Sequence, residues 1–282
     1  MLKKSLLFLL ITSFLFLGVY AFWIEPRQLI VKEVTIALPK LKQPIKAVLI
    51  GDLQPIQQHW PKERLNWAID IAAQQKPDIV FYVGDYAYAQ QWAARYKLDS
   101  WLTVNPADIV KAMSRIDAPM GVYAVMGNHD YWWDGEAVKQ LIRKTHIRLL
   151  IDEAVLAQHG NKALWVAGVD DMATPRPYDL QKTLSKTTES LPTVLLSHSP
   201  DIFPEVSSNV ELTLAGHTHG GQVYIPGIGR PIVPIKYKKY AMGLFQEHGK
   251  QLFVTSGIGT SILPIRFMTP PEIVVLNFIP AK

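Results

Sequence analysis

The stretch Ile79–Asp85, IVFYVGD, sets five apolar residues rich in β-branched and aromatic side chains against a Gly-Asp turn. A run of this kind, with no polar alternation, reads as a strand covered on both faces, as in parallel sheets. The same device recurs on either side. Ala47–Ile50 runs into Gly51-Asp52, and Val122–Met126 into Gly127-Asn128-His129-Asp130. Val194–Leu196 runs into Ser197-His198, and Leu212–Leu214 into Gly216-His217-Thr218-His219. Each strand thus delivers polar side chains at its C-terminal end, the rim where α/β folds bind ligands. Pro61–Gln75 places Leu65, Ala68, Ile69 and Ala72 at i, i+3, i+4 and i+7, which predicts an amphipathic helix with proline at its start. A further strand is expected around Leu29 to Ile36, and beyond Val223 the chain turns to Gly, Pro and short strands. The pattern predicts an α/β fold with a β-sandwich core flanked by helices.

The 282 residues are 49% hydrophobic and 19% charged, enough for a sizeable core and too apolar for a disordered chain. A net charge of +5 with no basic run argues against nucleic acid and suits an anionic substrate or lipid surface. There is no cysteine. Disulfides, thiolate zinc sites and cysteine nucleophiles are excluded, so any metal site is built from His, Asp, Glu, Asn or Gln.

Ser5–Trp23 carries no charge, and as a helix it would be roughly 28 Å long, close to the hydrocarbon thickness of a bilayer. Lys3 and Lys4 precede it, while Tyr20 and Trp23 stand at its far end as interfacial aromatics do. The expected division is a single-pass membrane anchor over residues 1–25 and one domain over 26–282. The positive-inside rule puts that domain on the extracytoplasmic face. A cleaved signal peptide, with Val19-Tyr20-Ala21 as its cleavage site, is the competing reading.

The strand ends gather Asp52, Asp85, Asn128, His129, His198, His217 and His219. Two neighbouring divalent cations repel strongly and need carboxylate charge between them. Mixed oxygen and imidazole donors suit Mn, Fe, Zn and similar ions better than Ca. Gly216, Gly220 and Gly221 give the His217–His219 turn its backbone freedom. A Gly-Asp pair alone is usually an ordinary turn; the order and context of the whole set single it out.

In order, the segments GDLQ, VGDY, MGNHD, LLSHSP and AGHTHGGQ resemble the calcineurin-like metallophosphoesterase family. The C-terminal GIGTSILPIRFMTPPEI and the N-terminal anchor resemble its membrane-associated branch, some members of which act as UDP-2,3-diacylglucosamine pyrophosphatases in lipid A biosynthesis. The resemblance implies a four-layer α/β/β/α sandwich. It also implies two divalent metal ions, manganese foremost with Fe, Zn or Mg as alternatives, and hydrolysis of a phosphoester or pyrophosphate by a metal-bridging hydroxide. By the family's pattern Asp85 bridges the ions, Asp52 and His219 hold the first, and Asn128, His198 and His217 hold the second. His129 binds no metal; it stabilises phosphoryl charge or protonates the leaving oxygen, with Asp130 setting its ring. One departure stands out. Gln54 occupies a position where the family has His, so its neutral oxygen either is a weaker, harder ligand or binds no metal at all. His59 would replace it only if the intervening loop folded back.

For the substrate, Tyr86–Asn105 is rich in aromatics and reads either as a cap over the site or as an ordinary packed helix. Trp132 and Trp133, just after the GNHD motif, are expected to line the pocket. Arg176 and Arg266 are candidate phosphate contacts, as is the basic cluster Lys236, Lys238 and Lys239. The implied partners are a lipid bilayer and an anionic, phosphate-containing substrate, lipid-linked on the branch resemblance. Two alternatives differ in class or substrate: a catalytically weak metal-binding membrane protein, and a broad-specificity phosphodiesterase of soluble substrates.

Overall fold

A computed structural model describes residues 2–88, 103–172, 174 and 178–281. Arg176 and most of the aromatic stretch after Tyr88 lie outside the described residues. The chain begins with α1 (Leu2–Val19), which continues through a π-helical turn (Tyr20–Ile24) and a 3-10 turn (Glu25–Arg27). Lys4–Arg27 has a mean hydropathy of 2.3 in its most apolar window, and is long and apolar enough to cross a membrane by length and composition.

Two six-stranded sheets follow. The first contains β1 (Ile30–Leu38), β2 (Ile45–Ile50), β3 (Ile79–Val83), β4 (Val122–Val125), β5 (Arg148–Leu149) and β12 (Glu272–Pro280), in the order β1-β12-β2-β3-β4-β5. The second contains β6 (Glu153–His159), β7 (Lys162–Gly168), β8 (Thr193–Leu196), β9 (Leu212–Ala215), β10 (Gly243–Glu247) and β11 (Lys250–Val254), in the order β10-β11-β9-β8-β7-β6. β2, β3, β4 and β5 run parallel, as do β7, β8, β9 and β11. Antiparallel pairs sit at β12–β2, β6–β7 and β10–β11.

The period of two along a strand explains why the apolar runs are unbroken. Ala47, Leu49, Phe81, Val83 and Val125 bury against Leu164, Val166, Val194, Leu196 and Leu214 in a core shared by both sheets. Val48, Ile50, Val80, Tyr82 and Ala124 turn the other way. They meet Leu65 and Ile69 of α2 (Lys62–Gln74), Ile109 and Met113 of α3 (Pro106–Met113), and Val138 and Ile142 of α4 (Asn128–Arg143). Both faces of these strands are therefore covered. On the second sheet, Ala167 and Leu195 face Ile202 and Val206, with Leu180 and Leu184 of α5 (Leu180–Leu184) alongside. The result is a mixed α/β fold of two sheets.

The end of the N-terminal helix is hydrogen-bonded to the far end of the chain. Glu25 is buried, and its carboxylate accepts from the amides of Met268, at 2.8 Å, and Thr269. The Arg266 amide donates to Ala21 O at 3.0 Å, and Trp60 Nε1 donates to Pro26 O at 3.0 Å. Replacing Glu25 by Ala leaves two amides without their acceptor, which is expected to cost about 2–3 kcal/mol. Denaturant unfolding of the full chain in detergent measures it, with Glu25→Gln expected to fall between. An unchanged midpoint in both variants would mean that this carboxylate contributes nothing to the packing.

Candidate metal centre

The C-terminal ends of β2, β3 and β4 from one sheet and of β8 and β9 from the other deliver the site. Asp52 follows β2, Asp85 follows β3, Asn128, His129 and Asp130 open α4 after β4, His198 follows β8, and His217 and His219 follow β9. Four of these take left-handed backbone: Asp52 at φ 48°, Asp85 at 59°, His217 at 68° and His219 at 49°. Each such residue costs on the order of 1–2 kcal/mol, a strain typical of functional turns. Two glycines leave the necessary space. A Cβ on Gly84 would stand 2.8 Å from Gly127 N and 2.8 Å from His198 Nδ1, and one on Gly127 would collide with the Asp85 carboxylate.

Two donor groups converge. Asp85, His198 and His217 form one, Asp52, Asp85 and His219 the other, each with its ligand atoms within 4.8 Å of one another. Asp85 belongs to both. Its Oδ2 lies 3.1 Å from His198 Nε2 and accepts from Gln54 Nε2, while its Oδ1 accepts from the His129 amide at 2.9 Å, at the positive end of α4. His198 Nε2 is also 3.0 Å from Asn128 Oδ1 and 3.1 Å from His217 Nδ1.

The outer ring nitrogens fix the tautomers. His198 Nδ1 sits 2.7 Å from Val83 O, and His217 Nε2 sits 3.2 Å from Pro234 O. Carbonyls only accept, so those nitrogens carry the protons and the lone pairs of His198 Nε2 and His217 Nδ1 point inward. This is the outer-shell pattern of metal-binding histidines. His219 Nε2 lies 3.7 Å from Asp52 Oδ1, and Asp52 accepts from the His217 amide at 2.9 and 3.1 Å. Gln54 Oε1 is buried with no hydrogen-bond partner, a costly position that a cation would relieve. The donor set fits two divalent ions.

Electrostatics agree. Burial pushes the Asp52 carboxyl up to about 7, with His198 opposing. Burial and then the neighbouring His198 take His217 down to about 4, and burial takes His219 well below its ordinary value. Burial alone would raise Asp85, yet His198 and His129 hold it below the usual carboxylate range. His198 is lifted well above its ordinary value, Asp85 outweighing burial. The same attraction that keeps a proton there favours a metal cation.

Two sequence-based expectations need correction. Asp130 does not set the His129 ring. Its carboxylate accepts from the amides of Asp85 (3.0 Å), Tyr86 (2.8 Å), Ala87 (2.9 Å) and Gly127 (2.9 Å), so it holds the turn beneath Asp85. Burial and the charge of Asp85 push its carboxyl up to about 7 against those amides. Arg266 does not face a phosphate: it is fully buried and its guanidinium donates to the carbonyls of Ser256, Gly257, Gly259 and Thr269. The condition set for His59 as a substitute ligand is not met: it belongs to neither donor group, and its ring lies beside Trp23, centroids 6.2 Å apart.

Trp132 stands against His129, centroids 4.7 Å apart, with Tyr88 at 6.3 Å, and Trp133 is exposed on the same helix. Lys239 pairs with Glu247 at 2.7 Å, and Lys236 lies over Tyr237. Sequence reading placed Tyr86 in the aromatic stretch but missed its part in the turn, where its hydroxyl donates to Val125 O at 2.6 Å and accepts from Gly84 N at 3.2 Å. Its position directly after Gly84-Asp85 was the available signal. It also missed Gly257 and Gly259, where a Cβ would run into Asp52 or the carbonyls of residues 52–54.

A calcineurin-like phosphoesterase family profile matches residues 45–221. The chain is similar to an uncharacterized metallophosphoesterase, YkuE, of Bacillus subtilis, 29% identical over 92% of this chain and 88% of that protein. It is similar to an uncharacterized metallophosphoesterase of Aquifex aeolicus, 28% identical over 93% and 95%. A third relative is the phosphodiesterase YaeI of Escherichia coli, 25% identical over 84% and 83%. Among solved structures, the NAD nucleotidase of Haemophilus influenzae aligns with a TM-score of 0.47 at 16% identity, over 76% of this chain. The chain spans 45% of that protein's length.

Metal uptake by the chelator-stripped protein is expected to depend on pH. A cation needs the Asp52 carboxylate ionised and His198 without its extra proton, so a proton competes at Asp52 below a pKa of about 7 and at His198, lifted well above its ordinary value, as well, whereas neutral His217 competes only near 4. Affinity should therefore fall by at least roughly tenfold per unit as pH drops below 7. Chelator competition tests this, and a flat profile would contradict it. Gly127→Ala pushes a methyl into the shared carboxylate and is expected to lose at least one metal equivalent by elemental analysis; full retention would show that the turn yields.

Proposed function

The chain belongs to the calcineurin-like phosphoesterase family, and on that premise we propose a dinuclear, manganese-preferring hydrolase of lipid-linked phosphoesters or pyrophosphates, built on a four-layer α/β/β/α sandwich. It is a hydrolase of the metallophosphoesterase class; the substrate and the metal are the proposal. The observation that carries it is the pair of donor groups sharing Asp85. Asp52, His219 and Gln54 Oε1 would hold one ion, and His198, His217 and Asn128 Oδ1 the other. When bound, such ions supply Lewis-acid polarisation of phosphoryl oxygens and a water-derived nucleophile at neutral pH.

The chain's own residues do the rest. His129 has its amide fixed by Asp85, the carboxylate that both donor groups share, and its ring against Trp132 and Tyr88. It offers a proton to the leaving oxygen, or a positive charge to the phosphoryl oxygens. Asp130 keeps that turn rigid through four amides. A cavity of about 340 Å³ opens beside His219, walled by Pro231, Ile232, Pro234, Ile262, Leu263 and Ile265. Its apolar lining supports a substrate with an apolar tail over a soluble nucleotide. α1 would be an uncleaved anchor, because Ala21 and Glu25, at and beyond the cleavage motif, are bonded to the C-terminal loop. Lys3 and Lys4 in its first turn favour an extracytoplasmic domain. That side lacks UDP-sugars, which favours an external lipid phosphoester over UDP-2,3-diacylglucosamine.

The test compares an acylated phosphodiester, its deacylated counterpart and UDP-2,3-diacylglucosamine, using full chain in detergent with Mn²⁺. Two metal equivalents and faster turnover of the acylated substrate are expected. One ion or none, with no turnover, would make this a metal-binding protein; equal rates would sink the lipid preference. His129→Ala is expected to lower turnover by about 10²–10⁴-fold with metal content unchanged. Loss of metal in that variant would overturn the role given to this histidine.

A further inference from the structure

We propose that the loop face formed by Ile228, Ile232, Ile262, Leu263 and Met268 is a bilayer-docking surface that seats the metal centre against the same membrane that α1 spans. The inference rests on reading α1 as a span. Its first support is how the helix leaves the domain. Tyr20–Arg27 is no free tether: Ala21 O accepts from the Arg266 amide at 3.0 Å, Glu25 accepts from the amides of Met268 and Thr269, and Tyr20 meets Phe267 edge-on with centroids 6.1 Å apart. Wherever the helix emerges from lipid, the loop 261–268 is held beside it. Trp23, with the Arg27 guanidinium 3.3 Å above its ring, marks the headgroup level.

The second support is what this loop face presents. Ile228 is 74% exposed, Ile232 72%, Ile262 62%, Leu263 53% and Met268 51%. Single exposed apolar residues are ordinary, but Ile232, Ile262 and Leu263 line one cavity together, and such a cluster marks an interaction surface. Ile262 (φ 62°) and Met268 (φ 53°) are held in left-handed backbone, a conformation strained for any L residue and most of all for a β-branched one. The loop thus holds apolar side chains outward at points where glycine would be relaxed.

The third support is rigidity and connection to the site. Gln222 Nε2 donates to Leu263 O at 3.1 Å and to Ile265 O at 3.2 Å, and its Oε1 accepts from the Ser261 amide. Gln222 directly follows the His219–Gly221 turn. A face pre-built in this way loses little conformational freedom on docking. Its continuity with the helix exit commits the occupant to lipid.

The chain has no cysteine, so single labels are unambiguous. Full-length protein carrying Ile262→Cys, Leu263→Cys, Phe14→Cys or His159→Cys is labelled with an environment-sensitive fluorophore. It is then reconstituted into phosphatidylcholine–phosphatidylglycerol vesicles containing shallow or deep nitroxide lipids. Phe14 lies in α1, and His159 on the β6–β7 hairpin at the end of the second sheet opposite the metal ligands. Elemental analysis and circular dichroism confirm that each variant is folded. Labels at 262 and 263 are expected to be quenched by shallow nitroxide and at least about threefold less than the 159 label by aqueous iodide, with 14 quenched by deep nitroxide. Quenching at 14 but not at 262 or 263 overturns the docking surface while the anchor stands. Labels at 262 and 263 shielded from both quenchers would assign the face to protein instead. No lipid quenching at any position removes the anchor and this surface together, and leaves the metal chemistry untouched.

Discussion

A fully buried carboxylate is expensive, and Asp85 is one, placed where two sheets meet and shared by two sets of donors. Taking such a charge out of water costs several kcal/mol unless neighbours repay it. The surrounding architecture reads as that repayment. His198 lies at 3.1 Å, the amide of His129 reaches in from the first turn of α4, and Gln54 donates from the β2 turn. The neighbours then have their own requirements. Gly84 and Gly127 must lack side chains, and Asp130 must gather the amides of the turn. The site is thus one interdependent unit rather than a collection of ligands.

Much of this was legible in the sequence. Unbroken apolar runs each ending in a polar turn locate the strand ends, because a strand covered on both faces leaves chemistry only at its termini. Asp52, Asp85, His198, His217 and His219 follow from that rule and come together in the structure. The residues that went astray share a physical reason. Asp130 and Arg266 are charged, and a charged residue near a predicted site invites a functional role. Both instead satisfy main-chain groups, Asp130 accepting from amides and Arg266 donating to carbonyls. Main-chain partners leave no trace in a sequence, since every residue supplies them. The surroundings of His59 were hidden for a different reason: its ring partner comes from the helical N-terminal segment, and nothing local announces that contact.

The same blindness covers the tie between the two ends of the chain. Glu25 and residues 266–269 are more than two hundred positions apart, and their bonds run through backbone amides. Through Gln222 the same loop reaches the turn that carries His219. The helix end, the C-terminal loop and one side of the metal centre therefore form a continuous set of hydrogen bonds.

Strain gives that continuity its point. Asp52, Asp85, His217 and His219 all take left-handed backbone, as do Gln222, Ile262 and Met268 along the adjoining loops. Each needs surrounding structure to over-determine it, since an isolated chain would relax to ordinary dihedrals. At the ligands, that support comes from buried hydrogen bonds and from glycines that admit close approach. At Ile262 and Met268 it comes from Gln222, Glu25 and the fixed helix end. The cost of holding side chains in unfavourable directions is met by packing elsewhere, chiefly the cores on both faces of the first sheet. The fold thus spends core stability to aim two kinds of groups on one edge: imidazoles and carboxylates inward, and aliphatic side chains out.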